Sequence, residues 1–189
     1  PLNYGINMGT WFVYDPVTGQ GSDGLVYPNS STNFGSVVDG TSNTVAFTEV
    51  KAFTPYLRNS GRPARAGAPV PDSPAIAVAY GGSFRADSGH TEWTDGRSHQ
   101  TGYTATFAPN TRVPYASGGQ LYDVDFTSFR EGTSATSATY AAVTARSYHP
   151  NCVQCVLSDG STRAVASTIE LGTWRALATR SGGELIKEF

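Results

Sequence analysis

The chain has 189 residues and a formal net charge of −2, with 39% hydrophobic and only 15% charged residues. Disorder requires low hydrophobicity and high net charge, so this composition predicts a folded protein. The small negative charge argues against nucleic acid as a partner, because a basic surface is needed to neutralise phosphates. The length predicts a single domain over residues 1–189. The sequence contains no run of 18 apolar residues, so it predicts no membrane-spanning helix.

The polar part of the chain consists mainly of small residues. Glycine, serine and threonine number 21, 19 and 22, while lysine occurs twice against eleven arginines. This bias is typical of an exported surface protein. We therefore expect an extracellular, cell-surface or periplasmic location.

Alternating apolar residues predict a β-rich fold. Strands are predicted over residues 45–50, 75–80, 102–107 and 139–145. The clearest hairpin pairs residues 152–157 with 162–166 around the turn formed by Asp159 and Gly160, because Asp-Gly supports the positive φ angles of tight turns. The fold class is therefore α+β, with a mainly antiparallel sheet and a short C-terminal helix.

The C-terminal helix is predicted over residues 169–180. Leu171, Trp174 and Leu177 recur on one face at helical spacing, and Ser167 or Thr168 can cap its start. Upstream, Arg58, Arg62 and Arg65 form a basic cluster in a stretch rich in glycine and proline. We interpret that cluster as a solvated loop rather than an anion site.

Histidine and cysteine offer few candidates for catalysis. His90 and His99 flank Glu92 and Asp95 at a spacing that matches no established zinc pattern, so we expect hydrogen-bonded or exposed side chains there. His149 precedes Asp159 by about 30 Å of extended strand, which argues against a catalytic dyad. We expect His149 to bond local backbone and Asp159 to form the turn.

The cysteines and serines show no pattern that is typical of a catalytic nucleophile. Cys152 and Cys155 lie three apart in a predicted strand, where their side chains face opposite sides, so we expect two free thiols. No G-x-S-x-G nucleophile motif is present, and no pair of carboxylates stands out. We therefore predict that the protein is not an enzyme.

Two weaker ligand hypotheses remain. Asp123 and Asp125 place two carboxylates on one strand face, which gives a possible calcium site; the alternative is a turn or a solvated edge. Exposed aromatic side chains could stack on sugars, with Trp11, Trp93 and Tyr115 as candidates. Both tryptophans are better interpreted as core anchors, because tryptophan is usually well buried.

Four ordered motifs carry a family resemblance. His149, nine intervening residues and then Asp159-Gly160 form the most specific of them, followed by residues 161–165 and the helix at 173–184. The others are residues 39–44 with the strand to Glu49, residues 27–30, and residues 92–103 through 109–111. Together they resemble the bacterial pilin-like proteins with domain of unknown function 1559, whose members usually begin with a prepilin-type cleavage and methylation segment.

The chain departs from that family pattern in three ways. Asn151 and Cys152 stand where the family usually has Gly-Gly, and Cys155 replaces an aliphatic residue. The long N-terminal apolar helix of pilins is absent from the sequence. The first two departures suit the packing of this segment as a strand.

The resemblance implies a pilin- or pseudopilin-like structural subunit of a type II secretion or type IV pilus-like extracellular filament. The missing helix would anchor the precursor in the inner membrane and then pack into the filament core, so the membrane is contacted only through it. Partners would be further copies and related pilin subunits. The resemblance implies no catalytic residue and no cofactor. The alternative hypothesis is a surface carbohydrate-binding or adhesion module that holds polysaccharide.

Overall fold

The computed structural model describes residues 1–184 and residue 186. It contains twelve strands and three short α-helices in this part of the chain. The strands are β1 (Tyr4–Asn7), β2 (Phe12–Tyr14), β3 (Val45–Glu49), β4 (Thr54–Arg58), β5 (Ser83–Gly89), β6 (Gly102–Tyr103), β7 (Pro114–Ser117), β8 (Gln120–Asp123), β9 (Asp125–Thr127), β10 (Thr139–Ala142), β11 (Cys152–Leu157) and β12 (Thr162–Ala166). The helices are α1 (Pro74–Ala79), α2 (Ser98–Thr101) and α3 (Leu171–Ala176). This β-rich, mostly antiparallel arrangement confirms the α+β class.

The first sheet has the strand order β12-β11-β3-β1-β6. Its inner face is apolar because every second residue of β11, namely Val153, Cys155 and Leu157, is buried. Trp174 of α3 is fully buried in the same hydrophobic cluster. Helix α3 therefore packs on this sheet, as the sequence predicts.

The second sheet has the order β2-β10-β9-β4-β5, and β7 and β8 form a separate hairpin. Its core is aromatic: Trp11 stacks against Phe126 at 5.8 Å between ring centroids and lies 5.4 Å from Tyr140. Thr104 donates its hydroxyl hydrogen to the carbonyl oxygen of Ala141 in β10, and the Thr106 hydroxyl oxygen lies 3.1 Å from the same carbonyl oxygen. The segment that follows β6 in the first sheet is thereby tied to the second sheet.

Several element predictions need correction. Residues 75–80, predicted as a strand, contain most of helix α1, in which Pro74 occupies the first turn, where a missing N–H costs nothing. Of the strand predicted at 102–107, only Gly102–Tyr103 pairs with a neighbouring strand, as β6. The hairpin of β11 and β12 is confirmed, with Gly160 at φ +86° in its turn.

Helix α3 is shorter than the predicted span of 169–180. Its N-cap is Glu170, not Ser167 or Thr168, and the Glu170 carboxylate accepts hydrogen bonds from the backbone N–H groups of Gly172 and Thr173 at 2.9 and 2.7 Å. Within residues 1–184 and 186, no helix is long and apolar enough to cross a membrane.

Candidate functional site

A buried arginine links the two sheets. The backbone N–H of Arg146 donates to the carbonyl of Glu49 in β3, while its guanidinium reaches the carboxylates that flank Val124. It donates to Asp123 at 3.1 and 3.2 Å, to the Val124 carbonyl at 3.1 Å, and to Asp125. Since Arg146 is only 3% exposed, these carboxylates supply the counter-charge that the buried cation requires.

Asp125 also lies next to a buried histidine, His90. Burial alone would raise the pKa of Asp125, but the Arg146 guanidinium, assisted by His90, holds it below its ordinary value. His90 Nε2 lies 3.6 Å from Asp125 Oδ2, and its Nδ1 lies 2.9 Å from the carbonyl oxygen of Gln100. Because a carbonyl oxygen only accepts, the Nδ1 atom carries the hydrogen of that bond.

The two predicted calcium ligands, Asp123 and Asp125, do lie close together, but both accept hydrogen bonds from the guanidinium of Arg146. Asp123 ends β8 and Asp125 begins β9, so they belong to two strands rather than to one strand face. No group of three or more histidine, cysteine, aspartate or glutamate side chains placed to hold a metal ion occurs among residues 1–184 and 186. Calcium at Asp123 and Asp125 stays a prediction, and any such ion would compete with Arg146.

His149, the first residue of the C-terminal motif, contacts a side chain rather than the local backbone. Its Nε2 lies 3.3 Å from Oε1 of Glu49, and Glu49 Oε2 accepts a hydrogen bond from the Gln154 backbone at 2.7 Å. Two family-like motifs thus meet across β3 and β11. Asp159 instead accepts hydrogen bonds from the backbone and hydroxyl of Ser161, so it forms the turn as expected.

The three predicted stacking residues have different environments. Trp11 is 1% exposed in the aromatic core and is not accessible to a glycan. Tyr115 is half-buried against Phe84, with ring centroids 5.2 Å apart. Trp93, expected as a core anchor, is 73% exposed, so it is the candidate with a freely accessible ring.

An apolar groove lies beside the first sheet, and sequence reasoning missed it. It has a volume of about 440 Å³ and a predominantly apolar lining that includes Ile6 of β1, Phe47 of β3, Phe34 and Val37. Phe34 is 77% exposed and Phe47 is 40% exposed, and Val38, next to Val37, is 75% exposed. Large contiguous apolar patches often mark interaction sites, so this groove is a candidate for one. The signal in the sequence was the apolar pair at 37–38 and the phenylalanine at 34 within an otherwise polar loop.

Comparison with known proteins identifies a family. The family model SBP_bac_10, described as a protein of unknown function (DUF1559), matches residues 1–172. No curated protein and no solved structure matches the chain. Because the match covers most of the 189 residues, the chain belongs to the DUF1559 family.

Proposed function

We propose that this chain is the globular head of a pilin- or pseudopilin-like subunit, displayed on an extracellular filament. The observation that carries the proposal is the apolar groove lined by Ile6, Phe34 and Phe47. Membership of the DUF1559 family agrees with it, since the motif resemblance described above points to pilin-like proteins. The role is structural and requires no cofactor.

The groove is suited to an apolar α-helix of the filament. Its floor includes Ile6 and Phe47, which are paired across β1 and β3 and therefore project from the same face of the sheet. Phe34 and Val37 come from the loop that precedes β3. Covering these side chains removes apolar surface from water, at about 25 cal/mol per Å² buried.

Filament growth needs contacts that repeat without closing into a ring. A head that presents an apolar groove to the helix of another subunit provides such a repeating contact. The remaining surface, which is rich in serine, threonine and glycine, stays hydrated and faces outward. On this proposal, the protein is displayed at the cell surface and is derived from an inner-membrane-anchored precursor.

Electron microscopy of sheared surface material from cells that produce the native full-length gene product tests the proposal. We expect filaments with the wild-type head and a loss of filaments with the double variant Phe34→Ser/Phe47→Ser. The matched control is Val17→Ser/Leu121→Ser, because each of these residues is 67% exposed and neither lines the groove.

The thermal midpoint of each isolated head separates assembly from folding. Both double variants change exposed or half-exposed side chains, so both heads should unfold near the wild-type temperature. A soluble monomeric gene product without filaments would refute the proposal. Normal filaments from the Phe34→Ser/Phe47→Ser variant would refute the role of the groove.

A further inference from the structure

A polar cleft of about 440 Å³ opens beside β4 and β5 of the second sheet. The antiparallel register pairs Tyr56 with Arg85, so the two side chains share one face of the sheet. Strand periodicity places Arg58 on that same face, two residues further along β4, while Asp87 lies in the irregular stretch of β5 between Arg85 and Gly89. These four side chains line the cleft, and their chemistry gives it a charged floor.

The remaining lining comes from three further segments. The loop before α2 contributes Glu92, Asp95 and Arg97, helix α2 contributes His99, and Arg130 follows β9. Four guanidinium groups therefore converge on one cleft. The interpretation of Arg58 as part of a solvated loop with Arg62 and Arg65 is corrected here, because Arg58 lies in β4 and lines this cleft.

Among the described residues, only one of the four arginines pairs with a carboxylate. Arg97 Nη1 lies 2.9 Å from Asp95 Oδ2, and its Nε donates to the Glu131 carbonyl. Within residues 1–184 and 186, Arg58, Arg85 and Arg130 form no ion pair within 4.0 Å.

Arg130 shows the electrostatic consequence. Its Nε is buried without a hydrogen-bond partner among the described residues. Burial, together with the positive charges of Arg58 and Arg97, lowers the pKa of Arg130. A bound anion would offset this repulsion and accept the unused hydrogen-bond donors.

We propose that the cleft binds an acidic sugar, with the sugar carboxylate held by Arg58, Arg85 and Arg130. The planar guanidinium fork matches the two oxygens of a carboxylate. Asp87 and Glu92 line the same cleft and accept hydrogen bonds from sugar hydroxyls. Those two carboxylates would repel a polyphosphate. The lining therefore favours a hydroxylated ligand that carries a single negative charge on each sugar unit.

Size and the neighbouring loop agree with this ligand. About 440 Å³ is within the usual range of roughly 300–1,000 Å³ for small-molecule sites. The loop that supplies Glu92 and Asp95 also carries Trp93, whose ring is 73% exposed. The exposed aromatic ring on this loop offers a flat apolar face on which a pyranose can stack.

Isothermal titration calorimetry on this chain tests the proposal with three probes: trigalacturonate, the neutral trisaccharide maltotriose, and sodium sulfate. We expect binding of trigalacturonate, no binding of maltotriose, and at least tenfold weaker binding of sulfate. Arg85→Gln should weaken trigalacturonate binding about tenfold or more, because it removes a charged hydrogen bond. The matched control Arg65→Gln changes an exposed arginine outside the cleft and should leave affinity unchanged.

Three results would overturn the proposal: no binding of trigalacturonate, equal affinity for the wild type and Arg85→Gln, or equal affinity for sulfate and trigalacturonate. The last would show a simple anion site without sugar recognition. The experiment uses the isolated chain and requires no filament, so its outcome is independent of the proposed assembly role.

Discussion

Replacing Arg146 by methionine should destabilise the fold strongly, because it leaves a buried carboxylate without its counter-ion. Arg146 and Asp125 are 3% and 1% exposed, whereas the Asp123 side chain is 31% exposed and keeps access to water. Breaking a buried pair from one side costs about 3–5 kcal/mol. We expect a loss of that size in the free energy of unfolding, measured by urea denaturation at pH 7.

The pH dependence of that loss identifies its cause. In the wild type the pKa of Asp125 is depressed, so its stabilising contribution is present above the ordinary value near 3.8 and is lost as the pH falls through the folded pKa. In the Arg146→Met protein, burial raises the pKa of Asp125 instead. Protonation of Asp125 then removes the unpaired buried charge. The loss in the free energy of unfolding of Arg146→Met, relative to the wild type, should therefore become smaller as the pH falls from 7 towards 5.

Two further variants make the argument refutable. Adding Asp125→Asn to Arg146→Met removes the unpaired charge and should recover about half of the lost stability or more. Arg65→Met changes an exposed arginine and should cost less than about 0.5 kcal/mol. A cost below about 1 kcal/mol for Arg146→Met, or a cost that is the same at pH 7 and pH 5, would contradict the role assigned to the pair.

Four other outcomes follow from the structure. Trp174→Ala should cost about 3–5 kcal/mol in urea unfolding, since this side chain is fully buried; a cost near zero would mean that α3 does not pack on the sheet. Gly160→Val should cost roughly 1–3 kcal/mol and Gly160→Asn less, because φ is +86°; equal costs would count against a left-handed turn. Burial raises the pKa of Cys155 to about 12, so alkylation of the native protein at pH 8, followed by mass spectrometry, should modify Cys152 first. Burial lowers the pKa of His99 to about 4, and an NMR titration with a midpoint near 6.5 would contradict its buried position.

Local sequence signals predicted those elements whose structure depends on neighbouring residues. The β11–β12 hairpin follows from two alternating runs around Asp159-Gly160, and α3 follows from the spacing of its apolar face. Helix α1 was missed because the alternation of small and large apolar residues at 75–80 also fits a strand. Pro74 directly after Ser73 was the competing signal for a helix start.

The charged sites could not be predicted from sequence, because long-range packing creates them. Arg146 is more than 20 positions from Asp123 and Asp125, and His149 is 100 positions from Glu49. Nothing in the local pattern distinguishes these residues from solvated charges, which are the commoner case. Spacing did succeed for Cys152 and Cys155: strand alternation predicted opposite faces, and the structure has two free thiols, one half-buried and one buried.

The two proposed surfaces belong to different sheets, and this separation can be tested by mutation. The apolar groove uses Ile6 and Phe47 of the first sheet, whereas the arginine cleft uses β4 and β5 of the second. Distant sites without shared partners usually behave additively. Arg85→Gln should therefore lose trigalacturonate binding but keep filaments, while Phe34→Ser/Phe47→Ser should lose filaments but keep trigalacturonate binding. If either variant lost both properties while its head remained folded, one surface would have to serve both roles, and the separation argued from the two sheets would be wrong.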